Sequence, residues 1–131
     1  MSDDVMQVEL VAADRLVWSG EAKMVVARTT EGDVGILPNH APMLSLLVDG
    51  VVDVTTAENE TWVAAVDAGF LSVANNRVSI LSEHAKMSHD IDLEKARADL
   101  ERAKTAGEHE DDAEEAVRWA EARIRASERA S

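Results

Sequence analysis

Gly32-Asp33-Val34-Gly35-Ile36-Leu37-Pro38-Asn39-His40-Ala41-Pro42-Met43-Leu44 reads as a compact, proline-braced turn set among strands. Glycines at 32 and 35 let the backbone take positive φ or approach a neighbour closely, so Gly32 to Gly35 is expected to be a turn. Each proline sets φ at about −65° and biases the residue before it, Leu37 or Ala41, toward extended geometry. His40 is therefore expected on a stiff, presented loop. The plain alternative is a strand-to-strand connection in which His40 only meets a backbone carbonyl.

Working outward from this loop, the apolar period is two as far as Ser82. Met6, Val8 and Leu10 alternate with Gln7 and Glu9, and Ala22, Met24 and Val26 alternate with Glu21 and Lys23. The pattern returns at Val52, Val54 and Thr56, at Trp62, Ala64 and Val66, at Leu71 and Val73, and at Val78 and Ile80. Asp49-Gly50 and Asn75-Asn76 supply turn residues that tolerate positive φ. Many short strands at this spacing predict a sandwich or barrel, with Trp18 and Trp62 as core or cover residues.

After Ser82 the period becomes helical: Leu93, Ala96, Leu100 and Ala103 form one stripe, and Ala113, Ala116, Val117, Ala120 and Ile124 a second. Gly107 suits a helix C-terminus, and the acidic run Glu108 to Asp112 suits the positive end of the next helix dipole. The expected fold is mainly β with α: an N-terminal β-sandwich over residues 1–86, then a C-terminal two-helix antiparallel hairpin over 87–131. A mostly alanine stripe buries little area, a few kcal/mol against an ordering cost of about 1–2 kcal/mol per residue. Only marginal attachment of the hairpin is expected.

Composition narrows the function classes. The 131 residues carry 26 acidic and 13 basic side chains, a net charge of −13, which argues against a nucleic-acid partner because phosphate binding needs clustered cations. No apolar run approaches the roughly 20 residues that span a bilayer. Met1-Ser2-Asp3-Asp4 is acidic where a secretory signal would be basic, so a cytoplasmic chain is expected. The absence of cysteine removes disulfides, thiolate catalysis and sulfur-bound zinc.

Catalytic motifs are missing as well: no Walker-type lysine follows a glycine loop, and there is no nucleophile elbow and no His-Glu-x-x-His spacing. Glu83, His84 and His89 cluster after the last strand, but two histidines on a polar connection read as linker residues rather than metal ligands. No catalytic residue, no metal and no required cofactor are expected.

The loop quoted above resembles that of the epsilon subunit of F-type ATP synthases, whose usual form has glycine where Asn39 stands. The stretch Asp67 to Leu81 resembles the family's final hairpin, and Ser19-Gly20-Glu21-Ala22 resembles its first turn. The resemblance implies a non-catalytic rotor subunit of a bacterial proton-translocating synthase, peripheral on the cytoplasmic face of the membrane and held there through the complex. Its implied partners are the gamma subunit, the c-ring, and the alpha and beta subunits, whose ATP hydrolysis the extended hairpin inhibits. It also places Asp33 and His40 near the c-ring, and Arg118, Arg123, Arg125 and Arg129 where they can meet acidic surfaces on beta.

Ile91-Asp92-Leu93-Glu94-Lys95-Ala96 resembles the family's Ile/Leu-Asp-x-x-Arg-Ala motif for ATP, with lysine in place of arginine. By that resemblance Glu83, Ile91, Asp92, Lys95, Ala96, Arg102, Arg125 and Arg129 would hold ATP as a regulatory ligand. The structural alternative is a helix cap at Asp92 and an ordinary i,i+4 pair between Glu121 and Arg125. The competing functional reading is a free-standing ATP-sensing module built from the same sandwich and hairpin. A β-sandwich enzyme would need a convergent acid and base, which the sequence does not offer.

Overall fold

The computed structural model describes residues 4–105 and 111–130, with the side chains of Asp111 and Asp112 left aside. The expected Gly107 cap and the run Glu108 to Asp112 thus lie outside the described side chains, as does Met1-Ser2-Asp3. The strands are β1 (Met6–Ala12), β2 (Arg15–Thr29), β3 (Gly32–Ile36), β4 (Met43–Leu47), β5 (Gly50–Thr56), β6 (Thr61–Val66), β7 (Gly69–Ala74), β8 (Arg77–Ser82) and β9 (Ala85–Met87). A short 3-10 turn, Ser88–Asp90, leads to helices α1 (Leu93–Thr105) and α2 (Asp111–Ala130).

β2 decides the architecture, because at 15 residues it serves two layers. Its first part pairs with β1, which continues through a parallel pairing to β8 and then to β7 and β4. Its second part lies between β3 and β5, and β6 and β9 complete that layer. The inward side chains of both layers, among them Met6, Val8, Leu10, Val25, Ile36, Val52, Leu71 and Ile80, meet in one core. This is the expected sandwich.

The register of β2 departs from simple alternation. Ala22 stands opposite Thr56 but Met24 opposite Thr55, so Lys23 is an extra residue in a bulge. Beyond it the buried face passes to Val25, Ala27 and Thr29, and the expected inward residues Met24 and Val26 turn outward. A one-residue slip in a period of two reverses every later side chain. Ser19 to Ala22 is likewise not a turn but extended strand, and Gly20 lies under the indole of Trp18. The first turn falls at Ala13-Asp14.

Gly32 has φ +112°, yet Gly32 to Ile36 is strand β3, and the turn before it is Thr30-Glu31. Thr29 braces that turn: its hydroxyl accepts from Glu31 N at 3.1 Å and donates to the Gly32 carbonyl at 2.9 Å. Asn75 and Asn76, at φ 53° and 61°, make the expected hairpin turn between β7 and β8. Gly50, by contrast, opens β5 without a positive φ.

Asp92 starts α1 as a cap, its carboxylate accepting from Lys95 N at 3.1 Å. The expected stripes are present in part: Ala96, Ala103 and Ala120 are buried and Ile124 is half-buried, while Ala116 is exposed. α2 has a second buried face that the stripe did not include. Ala122 and Ala126, with Trp119, pack on Val63, Ala65 and Val51 of β6 and β5. β6 is consequently buried on both sides, and the hairpin shares a real apolar interface with the sandwich instead of the slight one expected. β9 also crosses the expected boundary at residue 86, with Met87 in the core at 4% exposure.

Candidate functional site

The outer faces of the two layers are treated differently. On β5 and β6 the outward side chains lie under α2, whereas among the described residues no helix packs in that way on the outer face of the β2–β1–β8–β7–β4 layer. Across that uncovered face the register sets Leu46 beside Phe70, Phe70 beside Leu81, Leu81 beside Val11, and Val11 beside Leu16. Leu46, Phe70, Leu81 and Leu16 are 52%, 48%, 44% and 57% exposed. Five adjoining strand segments thus build one apolar row, with Leu44 beside it on β4. Next to the row, Glu9 pairs with Arg77 at 3.2 Å, giving a polar margin. A contiguous apolar strip of this sort marks a docking surface.

Neither β4 nor this row was foreseen from the sequence. The available signal was the run Met43-Leu44-Ser45-Leu46-Leu47, which is apolar on both faces of a strand and so shows no clean alternation.

The loop between β3 and β4 is held at one end of the sandwich. Asn39 has φ 66° and donates its N–H to Asn76 Oδ1 at 2.8 Å, while Asn76 Nδ2 donates to the Val5 carbonyl at 2.8 Å. Positive φ explains why glycine suits position 39 and why asparagine can replace it. His40 is half-buried, its N–H donating to the Leu37 carbonyl at 3.1 Å and its Nδ1 lying 2.7 Å from the Ala41 carbonyl. Asp33 stands on β3, paired with Arg28 at 3.2 Å. No hydrogen bond or ion pair among the described residues joins Asp33 to His40.

The hairpin carries most of the organised charge. Asp99 of α1 receives Arg102 at 3.0 Å on Oδ1, and Arg123 at 3.0 Å and Lys95 at 3.5 Å on Oδ2. Partial burial would raise the Asp99 pKa, but the hydrogen bond from Arg123 and the charges of Lys95, Arg123 and Arg102 outweigh it and hold the carboxyl below its ordinary range. Arg123 also lies over the Trp119 ring at 5.4 Å. Two ion pairs tie α2 to the sandwich: Arg118 to Asp49 at 3.4 Å and Arg129 to Asp53 at 2.8 Å. The other Asp53 oxygen is buried without a hydrogen-bond partner.

His84 and His89 are not free linker residues. His84 N and Nδ1 meet the Asp67 carboxylate at 2.8 and 2.6 Å, and the imidazole lies 5.6 Å from the Trp119 ring. His89 stands edge-on to Trp62 at 5.5 Å. Among the described residues no group of three or more His, Cys, Asp or Glu is placed to hold a metal, and no helix is long and apolar enough to cross a membrane.

Residues 5–88 match the protein-family model described as ATP synthase, Delta/Epsilon chain, beta-sandwich domain. The chain is 50% identical, over 92% of its length and 94% of the relative's, to the ATP synthase epsilon chain of Streptomyces avermitilis. It is 52% identical, over 95% and 98% of the two lengths, to that of Rhodococcus jostii. This chain belongs to the ATP synthase epsilon-chain family. Its fold recurs in a chain of the Euglena gracilis mitochondrial ATP synthase OSCP/F1/c-ring structure, with TM-score 0.70, 22% identity and coverage of 98% and 79%. It recurs also in the Tetrahymena thermophila central stalk/c-ring structure, with TM-score 0.63, 17% identity and coverage of 95% of each chain.

In this epsilon chain the residues expected around ATP do not converge. Lys95 and Arg102 point to Asp99, while Arg125 and Arg129 line a cavity of about 100 Å³ with Arg28, Asp33 and Asp53. Glu83 lines a separate cavity of about 300 Å³ with Asp49, Asp67, His84, Arg118 and Trp119. Asp92 is occupied as a cap, Ala96 is fully buried in packing, and Ile91 packs beside the α2–β6 interface. The expected Glu121–Arg125 pair is not among the ion pairs of the described residues; Arg125 faces the Asp53 cavity.

Proposed function

We propose that this epsilon chain is a non-catalytic rotor element, docking on the gamma subunit and the c-ring at the cytoplasmic face of the membrane and so coupling proton flow to ATP synthesis. The uncovered apolar row from Leu46 to Leu16 carries this reading. The fold shields one outer face with its own helix and leaves the other apolar, which suits a lasting partner and has no use in a free-standing sensor. Phe70→Asp, in the middle of the row, should leave the circular dichroism unchanged and reduce co-purification with gamma from membranes by about tenfold or more. A folded Phe70→Asp chain that co-purifies undiminished would refute the docking face.

The hairpin is the regulatory element in this reading, and the docked α2 is its resting state. Released, α2 would carry Arg118, Arg123, Arg125 and Arg129 to acidic surfaces on alpha and beta and inhibit hydrolysis. The ion pairs with Asp49 and Asp53 support this, because arginines held by exchangeable carboxylates can be handed to others. Asp53→Asn weakens only the docked state, so ATP hydrolysis by membrane vesicles should fall. ATP, as a regulatory ligand, would bind the folded hairpin through Asp92, Lys95, Arg102, Arg125 and Arg129 and so oppose the released, inhibitory state.

A further inference from the structure

We propose that Asn76 is the positioning residue of the β3–β4 loop, fixing where Pro38 to Pro42 stands relative to the apolar row, so that gamma and the c-ring meet this chain in one set geometry. The inference rests on the docking reading above. The two surfaces adjoin. Leu46 and Leu44 share the outward face of β4 and lead from the row toward the loop, and Leu37, at the loop's other end, is exposed as well. The loop itself is weakly tied. The hydrogen bonds of His40 stay within it, to Leu37 and Ala41, and among the described residues one side-chain hydrogen bond reaches out of it, from Asn39 N–H to Asn76 Oδ1 at 2.8 Å.

Asn76 is placed to hold that bond. It closes the turn between β7 and β8 at φ 61°, its main-chain carbonyl accepts from Gln7 N–H at 3.1 Å, and its Nδ2 donates to the Val5 carbonyl at 2.8 Å. Both ends of the carboxamide are thereby engaged, and the acceptor facing the loop cannot rotate away without giving up Val5. β7 and β8 carry Phe70 and Leu81 in the middle of the row and end in this turn, so one hairpin joins the row to the loop. β1, paired with β8, is tied in through Val5 and Gln7. A load on the loop therefore passes through Asn76 into three strands.

The test uses two variants of the full chain. Asn76→Gly keeps the positive φ and the main-chain carbonyl and removes the carboxamide, whereas Asn76→Asp keeps an acceptor for Asn39 N–H. Hydrogen exchange followed by NMR should show the Asn39 amide exchanging about threefold or more faster in Asn76→Gly, the Gln7 amide unchanged, and Asn39 exchange close to wild type in Asn76→Asp. Synthase vesicles carrying Asn76→Gly should retain the epsilon chain on gamma yet lose proton-driven ATP synthesis by about twofold or more, and Asn76→Asp should recover it. A role confined to the turn predicts no loss in Asn76→Gly, because glycine suits φ 61° at least as well as asparagine. Unchanged Asn39 exchange in Asn76→Gly, or undiminished synthesis where His40→Ala is impaired, overturns the inference. So does a synthesis loss accompanied by loss of the epsilon chain from gamma, which would make Asn76 a residue of the fold. If Asn39 exchanges faster but Asn76→Gly and His40→Ala both synthesise normally, the tie exists and the loop bears no rotor load, and the c-ring reading of the loop fails together with the inference.

Discussion

A methyl group at Gly69 would overlap the carbonyl of Leu81, because β7 and β8 close on each other where Gly69 faces Ser82. Backbone cannot yield as a flexible side chain does, so Gly69→Ala should cost about 3 kcal/mol by urea denaturation. Asn39 is limited by conformation rather than space. Asn39→Gly should be nearly neutral, and Asn39→Val should cost about 1–2 kcal/mol because a β-branched residue resists positive φ. The hydrogen bonds of His40 among the described residues are local, to Leu37 and Ala41, so His40→Ala should lose less than about 1 kcal/mol. Under the rotor reading the same variant should lower proton-driven ATP synthesis in vesicles; a large stability loss with normal coupling would make His40 a structural residue.

At the scale of elements, α2 is held by small side chains and by charge. Ala122 and Ala126 are 1% and 0% exposed, and their size lets the helix lie close on β6. Ala126→Leu should therefore push α2 from the sheet at a cost of about 1–3 kcal/mol, read as faster limited proteolysis of the hairpin with the sandwich intact. The Asp99 junction makes hairpin closure acid-sensitive, and the sign follows from the direction of its shift. A folded-state pKa below the unfolded one contributes stability above the ordinary carboxylate range, and that contribution disappears as pH falls through the lowered value. Helical circular dichroism should accordingly be lost at lower pH in the wild type than in a chain whose carboxylate is not paired, and Asp99→Asn should remove that acid step.

For the whole molecule, the divide between sandwich and hairpin lies after β9. A fragment ending at Ser88 retains β9, while one ending at Lys86 loses Met87 from the core and should be less stable by about 2 kcal/mol or more in urea denaturation. Either fragment uncovers Val51, Val63 and Ala65, so a second apolar face joins the one around Phe70. The net charge of −13 favours solubility, yet the fragment should self-associate in sedimentation where the full chain does not. In the full chain the hairpin thus covers one face and leaves the other open.

Periodicity along the chain was enough to determine the sandwich, the hairpin of helices and the Asn75-Asn76 turn, because strand and helix spacing follow from local backbone geometry. The loop at Asn39 and the motif at Asp92 were legible too, the first through its prolines and the second as a cap. Tertiary structure alone decided the rest. The bulge at Lys23 reversed the inward face of β2, since register depends on the partner strand. Leu46, Phe70, Leu81, Val11 and Leu16 come from distant segments, and only strand pairing sets them in one row. Lys95 and Arg102 reach Asp99 by i,i+4 and i,i+3 spacing within α1, but Arg123 joins them only when α2 folds back on α1, a contact that sequence spacing does not reveal.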